Sequence, residues 1–585
     1  MRFLHLLGAF ALLIGSLYVA GIFGPASYAS VEQLRNIRYY ESLTDGPLML
    51  ALPLSSARYA TFRVLTFGVL GASLLSTIVL VSIASYRQEL ADFLREVRRA
   101  GAALWHTIQA LSKKQLVLAT GLLMAVLSAR LFWFFIDPLS PDEVTSFTAF
   151  VHEGPLAVTS FYPIPNNHVF YNFLSWVVSK GGPGDARVIM RLPSLLIATA
   201  GTALSYVMLT RRFGFKTATI VTTLFDLTQL TIIYAASGRG YYLQLVCIQV
   251  GFFCVLKLLM STHYTRLGWA LFVFSSLVGL YAIPTYAAPF ASFLLVLLAS
   301  CMTLPPQIRG PFGRQVLTAG LIIGATTLVL YSPVGCVSGW SRLLANRYLT
   351  PTSLDEFTRV IRAYIYDAAM LLFGMARPAL IVLAALLGLT PIVLWRTELS
   401  ATTKRAAWTC WALLLVPIVL MLLQRRFIPA RVLIFTTYFA YLLVTLGAAF
   451  AAQRWKAYWV ARIPLALLVV LLTLRVGEMV SQIPAIIRTH DREAGVGLAY
   501  RWLLSQPKGE VFLQAPLYGF MFYHYNSLDT KFLAADSRRE AGKRYTYLVI
   551  EKNQPTLPEW AQTLPYHAVY EDELARIYVL NSSRN

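Results

Sequence analysis

Apolar stretches of about 20 residues, the length a helix needs to cross a bilayer, recur from Leu4 almost to Val480 with short polar connections between them. That periodic hydropathy restricts most of the 585-residue chain to one kind of fold, a bundle of transmembrane helices. The composition agrees: 57% of residues are hydrophobic and 13% charged, where soluble globular chains average about 25% charged, so an ordinary soluble enzyme is excluded. The pattern predicts thirteen spans, near residues 4–22, 64–84, 116–136, 191–210, 217–235, 241–260, 268–283, 286–303, 315–333, 376–395, 407–423, 431–451 and 463–480. The first is read as an uncleaved span, although Ala26-Ser27-Tyr28-Ala29 also resembles the end of a signal peptide.

The net charge of +22 would suggest nucleic acid if it were spread over a soluble surface. It is not, because residues 481–585 carry 12 basic and 11 acidic side chains, and almost the whole excess lies between spans. Basic clusters at Arg87 to Lys114, at Arg211, Arg212 and Lys216, at Arg396, Lys404 and Arg405, and at Arg454, Lys456 and Arg462 fall in alternate connections. Basic connections stay on the cytoplasmic side. The segments 137–190, 236–240, 334–375 and 424–430, together with the tail, are therefore expected outside, and no nucleic-acid partner is expected.

Within the outer loop 137–190, the stretches Asp142–Glu153 and His168–Lys180 look helical but are too short or too polar to span, as for amphipathic helices lying on the membrane surface. After Arg488 the composition becomes soluble. Strand-like runs at 510–514, 545–551 and 576–580 predict a small α/β domain there. The five cysteines lie in or beside apolar runs without metal-ligand spacing. No internal repeat of the kind common in transporters is evident.

Four motifs can carry chemistry. Ser140-Pro141-Asp142-Glu143 follows the third span. Serine before a first-turn proline, with glutamate three residues on, is a capping box and needs no catalysis. With Glu143 engaged in that box, however, Asp142 is left at a helix N-terminus as a carboxylate able to take a proton from a hydroxyl. Tyr162-Pro163-Ile164-Pro165-Asn166-Asn167-His168 ends in two amides and an imidazole, groups that pair with sugar hydroxyls, although one asparagine can equally cap the following helix. Ser237-Gly238-Arg239-Gly240-Tyr241 sets an arginine between two glycines in a very short outer connection, suited to a phosphate or to simple snorkelling. Arg425, Arg426 and Arg431 place three positive charges on the outer side, where they are disfavoured, and so ask for an anionic partner such as a lipid phosphate; Arg342 and Arg347 can add to that field. His168 has no second histidine at helical spacing, so no metal is expected, with Asp142, Glu143 and His168 the one set able to hold a divalent ion.

In this order, Asp142-Glu143, Asn167-His168, Arg191-Leu192-Pro193 and Arg239-Gly240-Tyr241 resemble the membrane glycosyltransferases of the GT-C fold, in particular the glycosyltransferase family 39-like group of protein O-mannosyltransferases and lipid A aminoarabinose transferases. The resemblance covers roughly residues 116–260 by motif and the later spans by hydropathy. It implies an all-α polytopic protein with a catalytic module at 116–480 and an outer α/β domain at 481–585. It also implies a polyprenyl-phosphate sugar donor and an acceptor glycan, lipid or protein at the outer face of a bacterial inner membrane. The implied catalytic pair is Asp142 and Glu143, with Asp142 as the base of a single inverting displacement. Tyr162, Asn166, Asn167, His168, Arg239, Tyr241, Arg425, Arg426 and Arg431 would form the binding set. Family members place the motif loop after their first span; here residues 1–115 add two further spans, open to a partner-binding or acceptor-binding role. A flippase of lipid-linked sugars and a polysaccharide polymerase or ligase are the alternatives. A flippase would carry ionisable groups near the midplane, for which Asp226 is the clearest candidate.

Overall fold

The structure is a computed structural model describing residues 1–585 apart from 42–45, 182–183, 261–264, 345–352, 376, 396–399, most of 455–493, 530–532, 555 and 582–585. The expected span at 463–480 and the side chains Arg347, Arg396, Lys456 and Arg462 fall outside the described residues, the span almost entirely so.

The chain enters with α1 (Arg2–Phe23), a short α2 (Tyr28–Glu32) and a hairpin of β1 (Arg38–Tyr40) with β2 (Pro47–Met49), then returns in α3 (Ser56–Ser82). α4 (Ala84–Gln109) leads into α5 (Lys113–Ile136). Next come α6 (Pro141–Ser146), α7 (Pro155–Ser160) and α8 (Val169–Gly181), which are short, before α9 (Ala186–Phe213). α10 (Phe215–Asp226) and α11 (Gln229–Ala236) precede the long helices α12 (Tyr241–Met260), α13 (Thr265–Ala282), α14 (Ala287–Met302) and α15 (Pro306–Val337). α16 (Trp340–Leu344), α17 (Leu354–Phe373), α18 (Arg377–Trp395), α19 (Ala401–Gln424) and α20 (Ile434–Arg454) complete the bundle. Among the described residues ten helices are long and apolar enough to cross a membrane, or twelve if the bent pairs α10–α11 and α17–α18 each count as one span. The protein is thus a polytopic membrane protein of the expected class.

Three departures from the hydropathy reading have physical causes. The expected span at 217–235 is two helices meeting at 76°. At the break, Asp226 Oδ1 accepts hydrogen bonds from Arg130 Nη2 (2.5 Å), Thr202 Oγ1 (2.9 Å) and Tyr242 Oη (2.8 Å), so a carboxylate that hydropathy counts only as a penalty is neutralised by a neighbouring helix. The stretch 87–114, expected as a loop, is largely α4, whose three acidic side chains face one arginine of α13. The outer stretch 334–375 holds α16 and α17, the latter capped by the Ser353 side chain and ended by Gly374 in the left-handed conformation (φ 53°).

One continuous apolar core joins α9, α10, α12, α13, α14, α15, α19 and α20. The N-terminal helices attach to it through small residues: a Cβ on Gly8 of α1 would meet Ile322 of α15 at 3.1 Å, and one on Gly15 would meet Thr326 at 3.3 Å. After the bundle come a helix at 494–505 (α21) and a five-stranded sheet. The sheet consists of β3 (Val511–Leu513), β4 (Ala535–Asp536), β5 (Tyr547–Glu551), β6 (Tyr566–Glu571) and β7 (Ala575–Leu580) in the order β4-β3-β5-β7-β6, with α22 (Pro516–Leu528) and α23 (Glu559–Gln562) between strands. β3 runs parallel to β4 and β5, whereas β7 is antiparallel to β5 and β6.

This domain is seated on two other parts of the chain. Val144 of α6 and Tyr40 of β1 are buried in the same cluster as Val511, Val549 and Ile577. Tyr40 Oη donates to the Gly519 carbonyl (3.1 Å) and Tyr523 Oη donates to that of Arg38 (3.0 Å). The N-terminal addition and the helix bearing Asp142 therefore share one apolar core with the C-terminal domain.

Candidate active site

The capping box expected at α6 is present: the Glu143 N–H donates to Ser140 Oγ (3.3 Å), and the Ser140 N–H donates to Glu143 Oε2 (2.9 Å). Glu143 does more than cap. Its side chain is fully buried, and Arg191 of α9 grips it with two parallel bonds, Nε to Oε1 (2.8 Å) and Nη2 to Oε2 (2.9 Å). Arg191 also donates to the carbonyls of Phe134 (3.1 Å), Asp137 (2.8 Å) and Pro138 (2.7 Å), which would otherwise be left bare where α5 ends. The Gly238 N–H completes the site on Glu143 at 2.6 Å. Burial alone would raise the Glu143 carboxyl, but the Arg191 guanidinium and the N–H donors of Gly238 and Ser140 outweigh it and hold the group at about 2.

This knot fixes the loop after α5 and the turn at Ser237–Gly240 against each other. Gly238 has to be glycine, since a Cβ there would lie 2.7 Å from Met190 Cβ. The turn then presents Arg239, which is buried beneath Asp142. Arg239 Nη1 donates to Ser146 Oγ (2.9 Å) and to the carbonyls of Asp142 and Asn166 (both 3.3 Å), while its Nη2 lies 3.8 Å from Asp142 Oδ2. Arg431, just before α20, approaches the same Oδ2 at 3.8 Å. Asp142 and Arg431 are half exposed, so the carboxylate and a guanidinium pair open together at the end of the bundle.

His168 adjoins them. The Gly240 N–H donates to its Nδ1 (2.9 Å), and Arg239 Nη2 lies 3.2 Å from its Nε2. Burial, then the charges of Arg239 and Arg431, hold the imidazole well below 6.5, so the ring is neutral with one proton. Both ring nitrogens face obligate donors, and in either tautomer one N–H points at another N–H. Arg239 Nε is buried and has no hydrogen-bond partner among the described residues. The Tyr241 ring packs edge-on to His168 at 4.9 Å, with the Arg239 guanidinium 5.7 Å from its centroid. The site thus holds donors in excess of acceptors, the condition that an anionic oxygen would relieve.

The remaining candidates separate. Asn166 ties back to Asp142 through Nδ2 and its main-chain carbonyl (3.3 Å). Asn167, expected to bind ligand, has its amide committed inside the protein: Nδ2 donates to the carbonyls of Val158 (2.9 Å) and Phe161 (2.8 Å), and Oδ1 accepts from Asn172 (2.9 Å). Tyr162 is buried and packs with Val169, Tyr281, Tyr331 and Val334, within reach of the Arg239 charge. Arg425 is exposed and ends α19 in the left-handed conformation (φ 50°), and Arg426 is half buried; of that cluster only Arg431 is brought to Asp142 among the described contacts. Ser146, Tyr171 and Ser194 escaped the sequence reading: Ser146 accepts from Arg239, and Ser194 Oγ links Tyr171 Oη (2.9 Å) to the Arg239 carbonyl (3.2 Å). Nothing in their spacing marks them. Among the described residues no three of His, Cys, Asp and Glu converge as a metal site.

No protein-family model matches the chain, and no curated protein sequence does. Solved structures similar to it include the crystal structures of ArnT from Cupriavidus metallidurans in the apo state and bound to undecaprenyl phosphate. They share 12% and 13% sequence identity with this chain at a TM-score of 0.40 each, over 80% of this chain and 99% of that one.

Proposed function

We propose that the protein is a glycosyltransferase that moves a sugar from a polyprenyl-phosphate donor to a hydroxyl of a glycan, lipid or protein acceptor, at the outer face of a bacterial inner membrane. The observation that carries this reading is the half-exposed Asp142 carboxylate set 3.8 Å from both Arg239 and Arg431, beside a neutral His168 and an unpartnered Arg239 Nε. A phosphate entering that cluster accepts from Arg239, Arg431 and His168 Nε2–H, which frees Asp142 for the acceptor. Asp142 takes the acceptor proton, the acceptor oxygen bonds to the anomeric carbon, and the bond from that carbon to the phosphate oxygen breaks with its electron pair leaving on polyprenyl phosphate. One displacement inverts the anomeric centre. A second carboxylate for a retaining route would have to face Asp142 across the sugar, and Glu143 is committed to Arg191. In this reading Glu143 positions the loop and Asp142 does the proton transfer. The guanidinium groups meet the charge on the leaving phosphate, so the reaction proceeds without a metal.

The test is turnover of radiolabelled polyprenyl-phosphate sugars by purified protein in nanodiscs, with and without a chelator, scoring release of polyprenyl phosphate. Asp142→Asn is expected to lose at least about a hundredfold in rate, the low end for a positioned base, while the chelator changes nothing. Normal turnover by Asp142→Asn removes the base assignment. Donor that binds wild type and variant but is never turned over favours the flippase alternative.

A further inference from the structure

At the end of the bundle opposite Asp142, α4 lies across three helix ends. Its Phe93 ring meets Phe3 at the start of α1 (5.5 Å), its Ala103 carbonyl accepts from Arg211 at the end of α9 (2.6 Å), and its acidic side chains hold Arg266 at the start of α13. α5, 24 residues long, separates this layer from the Asp142 loop by about 36 Å at 1.5 Å per residue. α4 is therefore a surface helix remote from the proposed active site.

Its charges divide by face. The three acidic residues are Glu89, Asp92 and Glu96, and all three pair with Arg266, at 2.6, 3.0 and 3.3 Å; Glu96 also accepts from the Leu267 N–H (2.9 Å). Asp92 also pairs with exposed Arg95, but no described ion pair joins an acidic side chain of α4 to the exposed Arg87, Arg98 and Arg99, which are followed by exposed Lys113 and Lys114 at the start of α5. Leu94, Val97 and Trp105 are exposed as well. At 100° per residue these three fall within an arc of about 80°, with Arg87 and Arg98 along its polar border and Arg99 further round. α4 thus has one sector sealed to the bundle by Arg266, one apolar sector facing away from it, and one basic sector, in which only Arg95 is paired to an acid among the described ion pairs, between that stripe and water. Such a three-sector helix fits the boundary of a bilayer with negatively charged headgroups.

We propose that α4 is an interfacial helix that seats Leu94, Val97 and Trp105 among acyl chains and binds anionic phospholipid headgroups through Arg87, Arg98 and Arg99. The protein is reconstituted into nanodiscs containing equal mole fractions of either brominated phosphatidylglycerol or brominated phosphatidylcholine. The emission of Trp105 is isolated as the difference between wild type and Trp105→Phe. Quenching by both lipids, stronger by phosphatidylglycerol, is the expected result. Combined Arg87→Gln, Arg98→Gln and Arg99→Gln should remove that preference, at roughly fivefold in local lipid affinity per arginine, while leaving quenching by phosphatidylcholine unchanged. Trp105 unquenched by either lipid means the stripe faces water and overturns the proposal. Equal quenching of wild type by the two lipids also overturns it, and that comparison needs no arginine variant to fold.

Discussion

Glu143→Gln gives the sharpest test of how the active-site loop is held. Glutamine keeps the shape, but its single carbonyl oxygen can accept from only one of the Gly238 and Ser140 N–H groups, and it removes the charge that faces Arg191 across two bonds of 2.8 and 2.9 Å. The depressed carboxyl sets the scale: a shift from 4.5 to about 2 corresponds to about 3 kcal/mol, within the range of roughly 3–5 kcal/mol for breaking one side of a buried pair. The sign follows from linkage. A carboxylate with a lowered folded-state value stabilises the fold fully above about pH 4.5 and loses that contribution as pH falls toward about 2, so at neutral pH wild type carries all of it. Because Glu143 ties the loop after α5 both to Arg191 of α9 and, through the Gly238 N–H, to the Ser237–Gly240 turn, the loss should be local. Amide hydrogen exchange at pH 7 over residues 137–146 and 237–240 should then accelerate by about a hundredfold in Glu143→Gln, with bundle peptides unchanged. Exchange within threefold of wild type in those peptides would refute the assignment of Glu143 and Arg191 as the fastening of the loop.

Two further outcomes follow from the same neighbourhood. Asn167→Asp sets a carboxylate against the carbonyls of Val158 and Phe161 that the amide now serves, so it should destabilise the outer loop by roughly 3 kcal/mol or more and lower the thermal midpoint in detergent; a fully stable variant with weakened donor binding would instead make Asn167 a ligand-binding residue. His168, kept neutral by burial and by Arg239 and Arg431, refuses a proton that the unfolded chain accepts below about 6.5, so wild type should lose up to about 2 kcal/mol relative to His168→Gln between pH 6.5 and 5. Parallel melting curves for the two proteins over that range would mean that the folded ring is protonated.

Legibility in the sequence followed the kind of interaction involved. Helices that present a uniform apolar surface were visible from hydropathy alone: α12 begins and ends where the apolar run does, the strands Val511–Leu513 and Tyr547–Glu551 fall inside the stretches expected for them, and Ala575–Leu580 starts one residue before its own. The α10–α11 break was not visible, since its cause, Asp226 meeting Arg130, joins positions 96 residues apart. Asp142, His168 and Arg239 stood out because each is a charged or polar group in a short connection between apolar helices. What they do together depends on Arg191, which the sequence offers only as an arginine opening a span. A bound guanidinium with no exposure, holding one carboxylate and three carbonyls, is a three-dimensional fact that leaves no periodic trace. The same holds for residues 1–115, left open by the sequence between partner binding and acceptor binding. Tyr40 in the core of the C-terminal domain, and Val144 of the Asp142-bearing helix in that same core, make the addition a brace: a domain that meets the loop after α5 at Leu139, Val144 and Phe147 is held from a second side. Support from two directions holds the short helix bearing Asp142, which with the π-helical turn Phe147–Val151 that continues it is too short to hold its own geometry in water.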